Sequence, residues 1–352
     1  MHVVAPEGFD DPGRPTGGNI YDRRVCAGLA GAGWDVRVAG AAGSWPAVDP
    51  DSLGGLAALM AGIAEGETVL VDGLVASPSA SALLPHAGRL RLVVLLHMPL
   101  ATAAEECHDA AAQASERAVV EAAAGVVATS EWTRRQVLER FAVPAGRVHV
   151  ARPGVDRAEP APGAGHLLCV GALGRSKGQD LLVEALAELA GLEWRCLLAG
   201  ALDRDRGFVG RLQRLIERSG LGDRVRLAGV LTGAALGDAY AEAGVVVAPS
   251  RSETYGMAVA EALAHGLPVI GAAVGGLPEA LGRAPGGALP GVLVEPGDIA
   301  KLAAALAGWL SDGEQRRQLR AAAIGRRSTL AGWDQTVREV ATALAAGTLR
   351  AQ

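Results

Sequence analysis

Short runs of β-branched and aliphatic residues alternate with longer helical patterns along the whole chain, and this alternation restricts the fold more than any other feature. It is typical of parallel sheets that carry helices on both faces. The candidate strands form two series, 2–7, 34–40, 68–73, 91–97, 125–130 and 148–154, followed by 166–171, 194–200, 224–229, 245–250, 268–273 and 292–296. The alternation predicts an α/β protein with two doubly wound, Rossmann-like domains that face each other across a cleft.

Length and composition indicate where these domains begin and end. The chain has 352 residues, which is more than one ordinary domain holds. A stretch rich in Pro and Gly, 152–165, separates the two series of strands and is predicted to be an interdomain hinge. We therefore expect one domain over 1–157 and a second over 158–330. Residues 331–352 are expected to form a C-terminal helix, and the sequence leaves open whether this helix crosses back to the first domain.

The distribution of charge limits the partners of the chain. Residues 1–157 carry 13 Arg against 18 Asp and Glu, and the whole chain has a net charge of −5. An acidic first half argues against binding nucleic acid or an anionic bilayer through a broad basic face. We expect neither a membrane-spanning helix nor a signal peptide. The four cysteines are far apart, which favours a reducing cytoplasm and argues against a zinc site; they are Cys26, Cys107, Cys169 and Cys196.

Two glutamates stand around the start of the helix predicted over 258–264. Glu253 precedes this helix, and Glu261 lies inside its apolar sequence. In doubly wound sheets, ligands bind beyond the carboxyl ends of the strands, and the free N–H groups at a helix N-terminus suit anionic ligands. Carboxylates accept hydrogen bonds from the hydroxyls of sugars and riboses. Spacing alone leaves two interpretations open: a pair of ligand-binding acids, or a helix cap followed by a solvated glutamate.

The longer string around these glutamates resembles a known family. S-R-S-E-x-Y-G-x-x-x-x-E-A-x-A-x-G-x-P-V-I at 250–270 resembles the E-x7-E segment of retaining glycosyltransferases with the GT-B fold, the large family four. AAVGGLPEAL at 272–281, GVLVEPGD at 291–298 and VGALGRSKGQDLLVEALAEL at 170–189 extend the resemblance, which runs from about Gly17 to Trp333. It implies transfer of a hexose from a nucleoside-diphosphate sugar, bound by the second domain, to an acceptor bound by the first.

The resemblance and the positions of residues at strand ends together give the candidate site. The predicted donor-binding residues are Gly17, Gly18, Arg175, Lys177, Val230, Leu231, Glu253, Thr254, Tyr255, Gly256, Met257 and Glu261. The predicted catalytic residues are His97, Arg175, Lys177 and Glu253. The predicted acceptor-binding residues are Asn19, His97, Ser130 and Arg134. Arg175 and Lys177 would neutralise the diphosphate leaving group.

No cofactor and no metal ion are expected, because this family holds the diphosphate with cations and helix N-termini. Two D-x-D motifs, 49–51 and 203–205, lie in loops away from the matched segments. We expect a soluble small-molecule acceptor and no stable membrane insertion, and the oligomeric state is left open. Three alternatives also stay open: a sugar-nucleotide epimerase of the same fold, a phosphorylase, and a non-catalytic nucleotide-sugar-binding protein.

Overall fold

The computed structural model describes residues 1–13, 15–100, 110–162 and 165–346. Cys107 and the start of the helical pattern before Ala110 therefore lie outside the described residues. The chain forms two compact units: Met1–Asp11, Gly17–Gly154 and Trp333–Gln352 make the first, and Pro12–Thr16 and Val155–Gly332 make the second.

The first unit is built on a six-stranded parallel sheet in the order β2-β1-β3-β4-β5-β6. Its strands are His2–Pro6 (β1), Arg37–Ala41 (β2), Thr68–Asp72 (β3), Arg91–Leu96 (β4), Gly125–Ala128 (β5) and Val148–Val150 (β6). Its helices are Gly17–Gly31 (α1), Pro50–Ala61 (α2), Gly73–Ala76 (α3), Ala80–Leu83 (α4), Ala110–Ala122 (α5) and Glu131–Arg140 (α6), with a last helix from the C-terminal part of the chain.

The second unit repeats this plan with a sheet in the order β12-β11-β10-β7-β8-β9, again parallel throughout. Its strands are His166–Val170 (β7), Cys196–Ala199 (β8), Val225–Gly229 (β9), Ala243–Ala248 (β10), Val269–Ala272 (β11) and Gly291–Val294 (β12). Its helices are Gln179–Glu188 (α7), Arg206–Arg218 (α8), Gly233–Ala241 (α9), Met257–Ala264 (α10), Leu277–Leu281 (α11), Ile299–Ser311 (α12) and Gly313–Arg326 (α13). The last helix of the chain is Trp333–Ala345 (α14).

Each sheet has an apolar core on both faces, which explains why its strands are nearly continuous apolar runs. In β4, Val94 and Leu96 belong to one core, whereas Val93 and Leu95 belong to the core on the opposite face. In the second unit, Leu167 and Leu168 likewise divide between two cores. All twelve predicted strands are present, and the predicted class of two doubly wound, Rossmann-like α/β units is confirmed.

Helix α14 packs on the first unit rather than on the sheet that precedes it in sequence. Val337 and Val340 are buried in the same core as residues of α1 and β4. Gly28 of α1 makes the close approach of the two helices possible, because a Cβ at this position would lie 2.2 Å from Cγ2 of Val337.

Strand β2 begins three residues later than its apolar pattern predicts. The N–H of Trp34 donates to the carbonyl of Leu29, and Gly33 has φ +91°, so these residues close the end of α1 instead of opening the strand. None of the helices in the described ranges combines the length and apolarity needed to cross a bilayer.

Candidate active site

The loop that follows β10 carries Glu253 and leads into α10. Gly256 stands immediately before the helix with φ +105°, a conformation that favours glycine, and no side chain caps the helix among the described residues. The helix starts at Met257, one residue before its predicted start. The backbone N–H groups of its first turn therefore lie beside Glu253, at the carboxyl end of the sheet where ligands of doubly wound folds bind.

Lys177 and Glu253 form an ion pair in this region. The Nζ atom of Lys177 lies 2.6 Å from Oε2 of Glu253, and the two side chains are 33% and 16% exposed. Lys177 ends a short 3-10 turn, Arg175–Lys177, which follows β7. The structure thus brings together a cation and a carboxylate from two loops that are 76 residues apart in sequence. Arg175, in the same turn, is exposed.

A second ion pair, which the sequence did not indicate, joins the Glu253 loop to the first turn of α7. Arg251 donates to both carboxylate oxygens of Asp180 at 2.7 and 2.9 Å. The backbone N–H groups of Arg251 and Ser252 also donate to the carbonyl of Ser176. Gly178 allows this approach, because a Cβ on it would lie 2.2 Å from the carbonyl oxygen of Pro249. These contacts fix the Lys177 loop against the Glu253 loop.

The Gly275–Gly276 turn supports the Glu253 loop from its other side. The N–H of Gly276 donates to the carbonyl of Glu253 at 2.9 Å. A Cβ on Gly275 would lie 1.7 Å from that carbonyl oxygen, and one on Gly276 would lie 2.1 Å from the carbonyl oxygen of Thr254. Glycine is therefore required at both positions for the turn to contact the backbone of this loop.

Glu261 is partly buried on α10, and this excludes the interpretation of a freely solvated glutamate. The Tyr240 hydroxyl donates a hydrogen bond to its Oε2 at 2.7 Å. Burial raises the pKa of Glu261, and the hydrogen bond from Tyr240 opposes that rise. The Tyr240 ring is itself stacked on His265 at 4.8 Å between ring centroids. Tyr240 was not predicted as a site residue, because only the fold brings α9 beside α10.

Val230 and Leu231, which are predicted to bind the donor, follow directly after β9. The side chain of Val230 is 40% exposed, which is unusual for a large apolar residue in this chain. Leu231 is partly buried against the core of the second unit.

In the first unit, His97 follows β4 and lies against the start of α1. A Cβ on Gly18 would lie 3.5 Å from Cδ2 of His97, so Gly18 leaves room for the imidazole ring. Gly17 and Gly18 belong to the first turn of α1. Nε2 of His97 lies 2.9 Å from Oδ1 of Asp22 and 3.6 Å from Oδ2 of Asp72.

Burial governs the ionisation of this group of three side chains. It raises the pKa of Asp22 to about 6 and raises that of Asp72 well above its usual value. Burial also lowers the pKa of His97. Asp72 could have been predicted as a site residue from the sequence, because it stands at the end of β3 just as His97 follows β4. Asp22 could not, because it lies on the buried face of α1.

In the described part of the chain, one carboxylate oxygen each from Asp22 and Asp72 and a ring nitrogen of His97 lie within 4.8 Å of one another. Atoms of these types could hold a metal ion. The two D-x-D motifs have another role: Asp49 accepts from the N–H of Ser52 and caps α2, and Asp205 accepts from the N–H of Phe208 and caps α8. That the reaction needs no metal stays a prediction.

The remaining predicted acceptor residues take part in local structure. Ser130 is fully buried and caps α6 by accepting from the N–H of Thr133. Nε of Arg134 donates to the carbonyl of Val148. Asn19 lies in the first turn of α1 and is partly buried. Acceptor binding by these residues stays a prediction, and the burial of Ser130 gives it no support.

Two family models match adjacent parts of the chain. Residues 15–159 match Glycosyltransferase Family 4, and residues 157–326 match Glycosyl transferases group 1. The chain is 34% identical over 245 residues to D-inositol 3-phosphate glycosyltransferase 1 of Catenulispora acidiphila. It is 35% identical over 247 residues to the D-inositol 3-phosphate glycosyltransferase of Kineococcus radiotolerans. These alignments cover 64% and 63% of this chain, and the chain spans 57% of each relative's length.

Solved structures share the whole fold. A sucrose-phosphate synthase from Thermosynechococcus elongatus superposes with a TM-score of 0.78 at 24% identity, over 97% of this chain and 98% of that one. HepE from Anabaena, in complex with UDP and glucose, superposes with a TM-score of 0.75 at 20% identity, over 98% and 99%. These structures show the GT-B fold, and the two family matches, which together cover residues 15–326, show that the chain belongs to glycosyltransferase family 4.

Proposed function

We propose that the protein is a retaining glycosyltransferase that moves a hexose from a nucleoside-diphosphate sugar to a soluble small-molecule acceptor without a metal ion. The observation that carries the proposal is the arrangement around the start of α10. Lys177, Glu253 and the first-turn N–H groups stand together there, with Glu261 one turn further along the helix. Together these groups suit the diphosphate, the sugar hydroxyls and the ribose of one ligand.

In the proposed donor site, the cation binds the phosphate and the two carboxylates bind hydroxyl groups. The three N–H donors of Lys177 allow it to keep the hydrogen bond to Glu253 and also to bind a phosphate oxygen. Glu253 then accepts from hydroxyls of the sugar, and Glu261 accepts from hydroxyls of the ribose. The hydrogen bond from Tyr240 occupies one oxygen of Glu261. The other carboxylate oxygen is the acceptor for the ribose.

In the proposed reaction, the bond between the anomeric carbon and the diphosphate oxygen breaks. The acceptor oxygen forms its bond to that carbon on the same face of the sugar, and a diphosphate oxygen takes the proton of the acceptor. Negative charge therefore grows on the diphosphate as it leaves. Lys177, Arg175 and the N-terminus of α10 stabilise this charge, which is the main catalytic effect that we assign to the protein.

For the acceptor, the relatives suggest a first class to test. The two relatives above are named for D-inositol 3-phosphate, and we propose a polyol or phosphorylated polyol as acceptor. His97 is proposed to face this acceptor, since it follows β4 at the carboxyl end of the first sheet.

The first test is a thermal-shift screen of UDP, GDP, ADP, dTDP and their common sugar conjugates on the wild type and on Glu261→Ala. A ligand at a hundred times its dissociation constant adds about 2.7 kcal/mol to stability. We expect one base to raise the melting temperature of the wild type and of Glu217→Ala, an exposed glutamate of α8, but not that of Glu261→Ala.

The second test is transfer. The nucleotide sugar that binds is incubated with inositol 3-phosphate and other polyols, and the product's anomeric configuration is read by NMR. A product with the donor's configuration is expected. An inverted product contradicts the retaining mechanism. Conversion of the sugar nucleotide without any acceptor favours the epimerase, and binding with no turnover favours a non-catalytic protein.

A further inference from the structure

Asp22 is a buried carboxyl group that the proposed chemistry does not use. It is 2% exposed on the inner face of α1, one turn after Gly18. In the described part of the chain, no Arg or Lys forms an ion pair with it or with Asp72. Two neighbouring carboxyl groups that are both buried and both ionised would repel each other strongly. The pair therefore needs a proton or another cation.

The hydrogen bonds show where a proton is needed. Oδ1 of Asp22 faces Nε2 of His97 at 2.9 Å, and Oδ1 of Asp72 accepts from the N–H of Leu74 at 2.6 Å. Oδ2 of Asp22 is buried without a hydrogen-bond partner among the described residues. Oδ2 of Asp72 likewise accepts from no N–H group among the described residues. A hydrogen bond between the two carboxyl groups lowers the pKa of Asp22 and raises that of Asp72, so the proton belongs on Asp72.

We propose that Asp22 is a positioning residue for His97: it is ionised, accepts a hydrogen bond from Nε2–H of His97, and is itself held by a proton on Asp72. One proton is thus shared within a buried carboxyl pair, and the imidazole is fixed as the tautomer that carries its hydrogen on Nε2. The other ring nitrogen, Nδ1, is then an acceptor in the neutral ring. The role of Asp22 in glycosyl transfer rests on the function proposed above. The tautomer of His97 does not depend on that function.

The apolar surroundings favour one shared proton over a hydrated ion. The space beside the two carboxyl groups is lined by Val3, Val25, Cys26, Leu70 and Leu95. The other titratable groups beside Asp22 are Tyr21 and Cys26 of α1, and burial, with a smaller contribution from Asp22, raises the pKa of both, so they stay neutral. Glu339 of α14 acts on Tyr21 rather than on Asp22.

The test reads the histidine directly. The full chain is labelled with 15N-histidine, and the signals of His97 are assigned by their loss in His97→Gln. We expect the wild type to show the Nε2–H tautomer at neutral pH. Asp22→Asn should shift His97 toward the other tautomer or a mixture, because its amide N–H groups compete for the same nitrogen. Asp51→Asn, an exposed position on α2, is the matched control.

Asp72→Asn tests the shared proton separately. Its amide mimics the protonated carboxyl group, so His97 should keep the Nε2–H tautomer in this variant. An unchanged His97 tautomer and titration in Asp22→Asn would overturn the positioning role. Loss of the tautomer in Asp72→Asn would overturn the shared proton. Broadening of the His97 signals by added Mn²⁺ would also overturn the shared proton, because it would show that the same side chains hold a metal ion.

Turnover supplies the second readout. With the donor identified by the thermal-shift screen, Asp22→Asn should lower kcat about tenfold or more with KM for the donor within about twofold of the wild type, as expected when a group that orients the acceptor is misplaced. A kcat equal to that of the control contradicts the role of Asp22 in transfer. If the wild type shows no transfer with any acceptor, the proposed function fails, and the NMR result still decides the tautomer.

Discussion

At the scale of single residues, the candidate site depends on a few charges whose partners come from distant parts of the sequence. Lys177 and Glu253 neutralise each other at 2.6 Å while both side chains stay partly accessible. Glu261 is held by Tyr240, and His97 is held by Asp22. Each of these pairs leaves one polar group with spare hydrogen-bonding capacity. The site residues are therefore kept in place by protein contacts and still have capacity for a ligand.

Lys177 offers a matched comparison, because the chain has only one other lysine, Lys301. Lys301 is exposed and pairs with Glu295 on the surface of the second unit. We expect Lys177→Met to lower kcat about 100-fold, since one donor to a developing negative charge is worth about 3 kcal/mol. Lys301→Met should leave kcat unchanged. Steady-state release of the nucleoside diphosphate measures both, and equal rates in the two variants contradict the role of Lys177.

Asp22 gives a prediction for stability against pH. Its pKa is about 6 in the folded protein against 3.8 for the unperturbed group. Between about pH 4 and 6 this carboxyl group is ionised in the unfolded chain but still holds its proton in the folded protein. The free energy of unfolding therefore falls as the pH rises from about 4 to above 6. Asp22→Asn removes this loss. We expect the variant to exceed the wild type by on the order of 2 kcal/mol at pH 7.5, with the difference vanishing near pH 4.

Chemical denaturation at several pH values measures this difference. A gap between Asp22→Asn and the wild type that is the same at pH 4 and pH 7.5 would show that the carboxyl group of Asp22 ionises normally. The Asp51→Asn control should follow the wild type throughout.

At the scale of elements, backbone contacts between loops position the site more than the helices and strands do. The loops after β7 and β10 share hydrogen bonds, and Arg251 of the second loop pairs with Asp180 in the first turn of α7. The Gly275–Gly276 turn contacts the backbone of Glu253 and Thr254. Because these contacts involve main-chain atoms, only glycine fits at the closest points. A side chain at Gly275 or Gly276 would overlap backbone atoms of the Glu253 loop and would therefore displace that loop.

Gly276→Ala tests this dependence. Its Cβ would lie 2.1 Å from the carbonyl oxygen of Thr254, so the Glu253 loop must shift. We expect donor affinity to fall about tenfold or more and stability to fall by about 1–3 kcal/mol, the usual cost of overpacking. Gly286→Ala, where a Cβ meets nothing within 4 Å, is the control. Isothermal titration with the identified nucleotide measures the affinity, and a Gly276→Ala protein that binds as the wild type contradicts the prediction.

At the scale of the whole molecule, the chain builds two units with separate cores, and its last helix belongs to the first. Val340 of α14 is fully buried in the same core as Val3 and Leu29. Apart from Gly17 and Gly18 at the start of α1, the residues predicted to bind the donor belong to the second unit. A change in the packing of α14 should therefore affect folding of the first unit without altering the nucleotide site.

Val340→Ala is expected to destabilise the protein by about 2 kcal/mol, from lost apolar burial and the cavity that remains. The dissociation constant for the nucleotide should stay within about twofold of the wild type. The reason is that the substitution removes apolar contacts from the core of the first unit and none from the core of the second. Thr342→Ala, on the exposed side of α14, is the control. Calorimetric unfolding and titration measure the two effects. A parallel loss of nucleotide affinity would mean that the two units are coupled.

The sequence by itself determined the strands, the fold class and the residues at strand ends. An apolar run in a parallel sheet is buried on both faces, so its pattern depends little on which neighbours it meets. The same logic placed His97, Lys177 and Glu253 after their strands. It also showed Glu261 as a carboxylate in an apolar helix, although its exposure was left open.

Only the tertiary structure decided which side chains meet. Asp22, Asp180, Tyr240 and Arg251 look like ordinary polar residues of helices and loops in the sequence, and their partners are 71 to 75 residues away or on a neighbouring helix. The placement of α14 on the first unit likewise depends on the fit of Gly28 to Val337. Periodicity reports which face of an element is buried, but a hydrogen bond or a close contact requires two elements to be brought within a few ångströms by the packing of the whole unit.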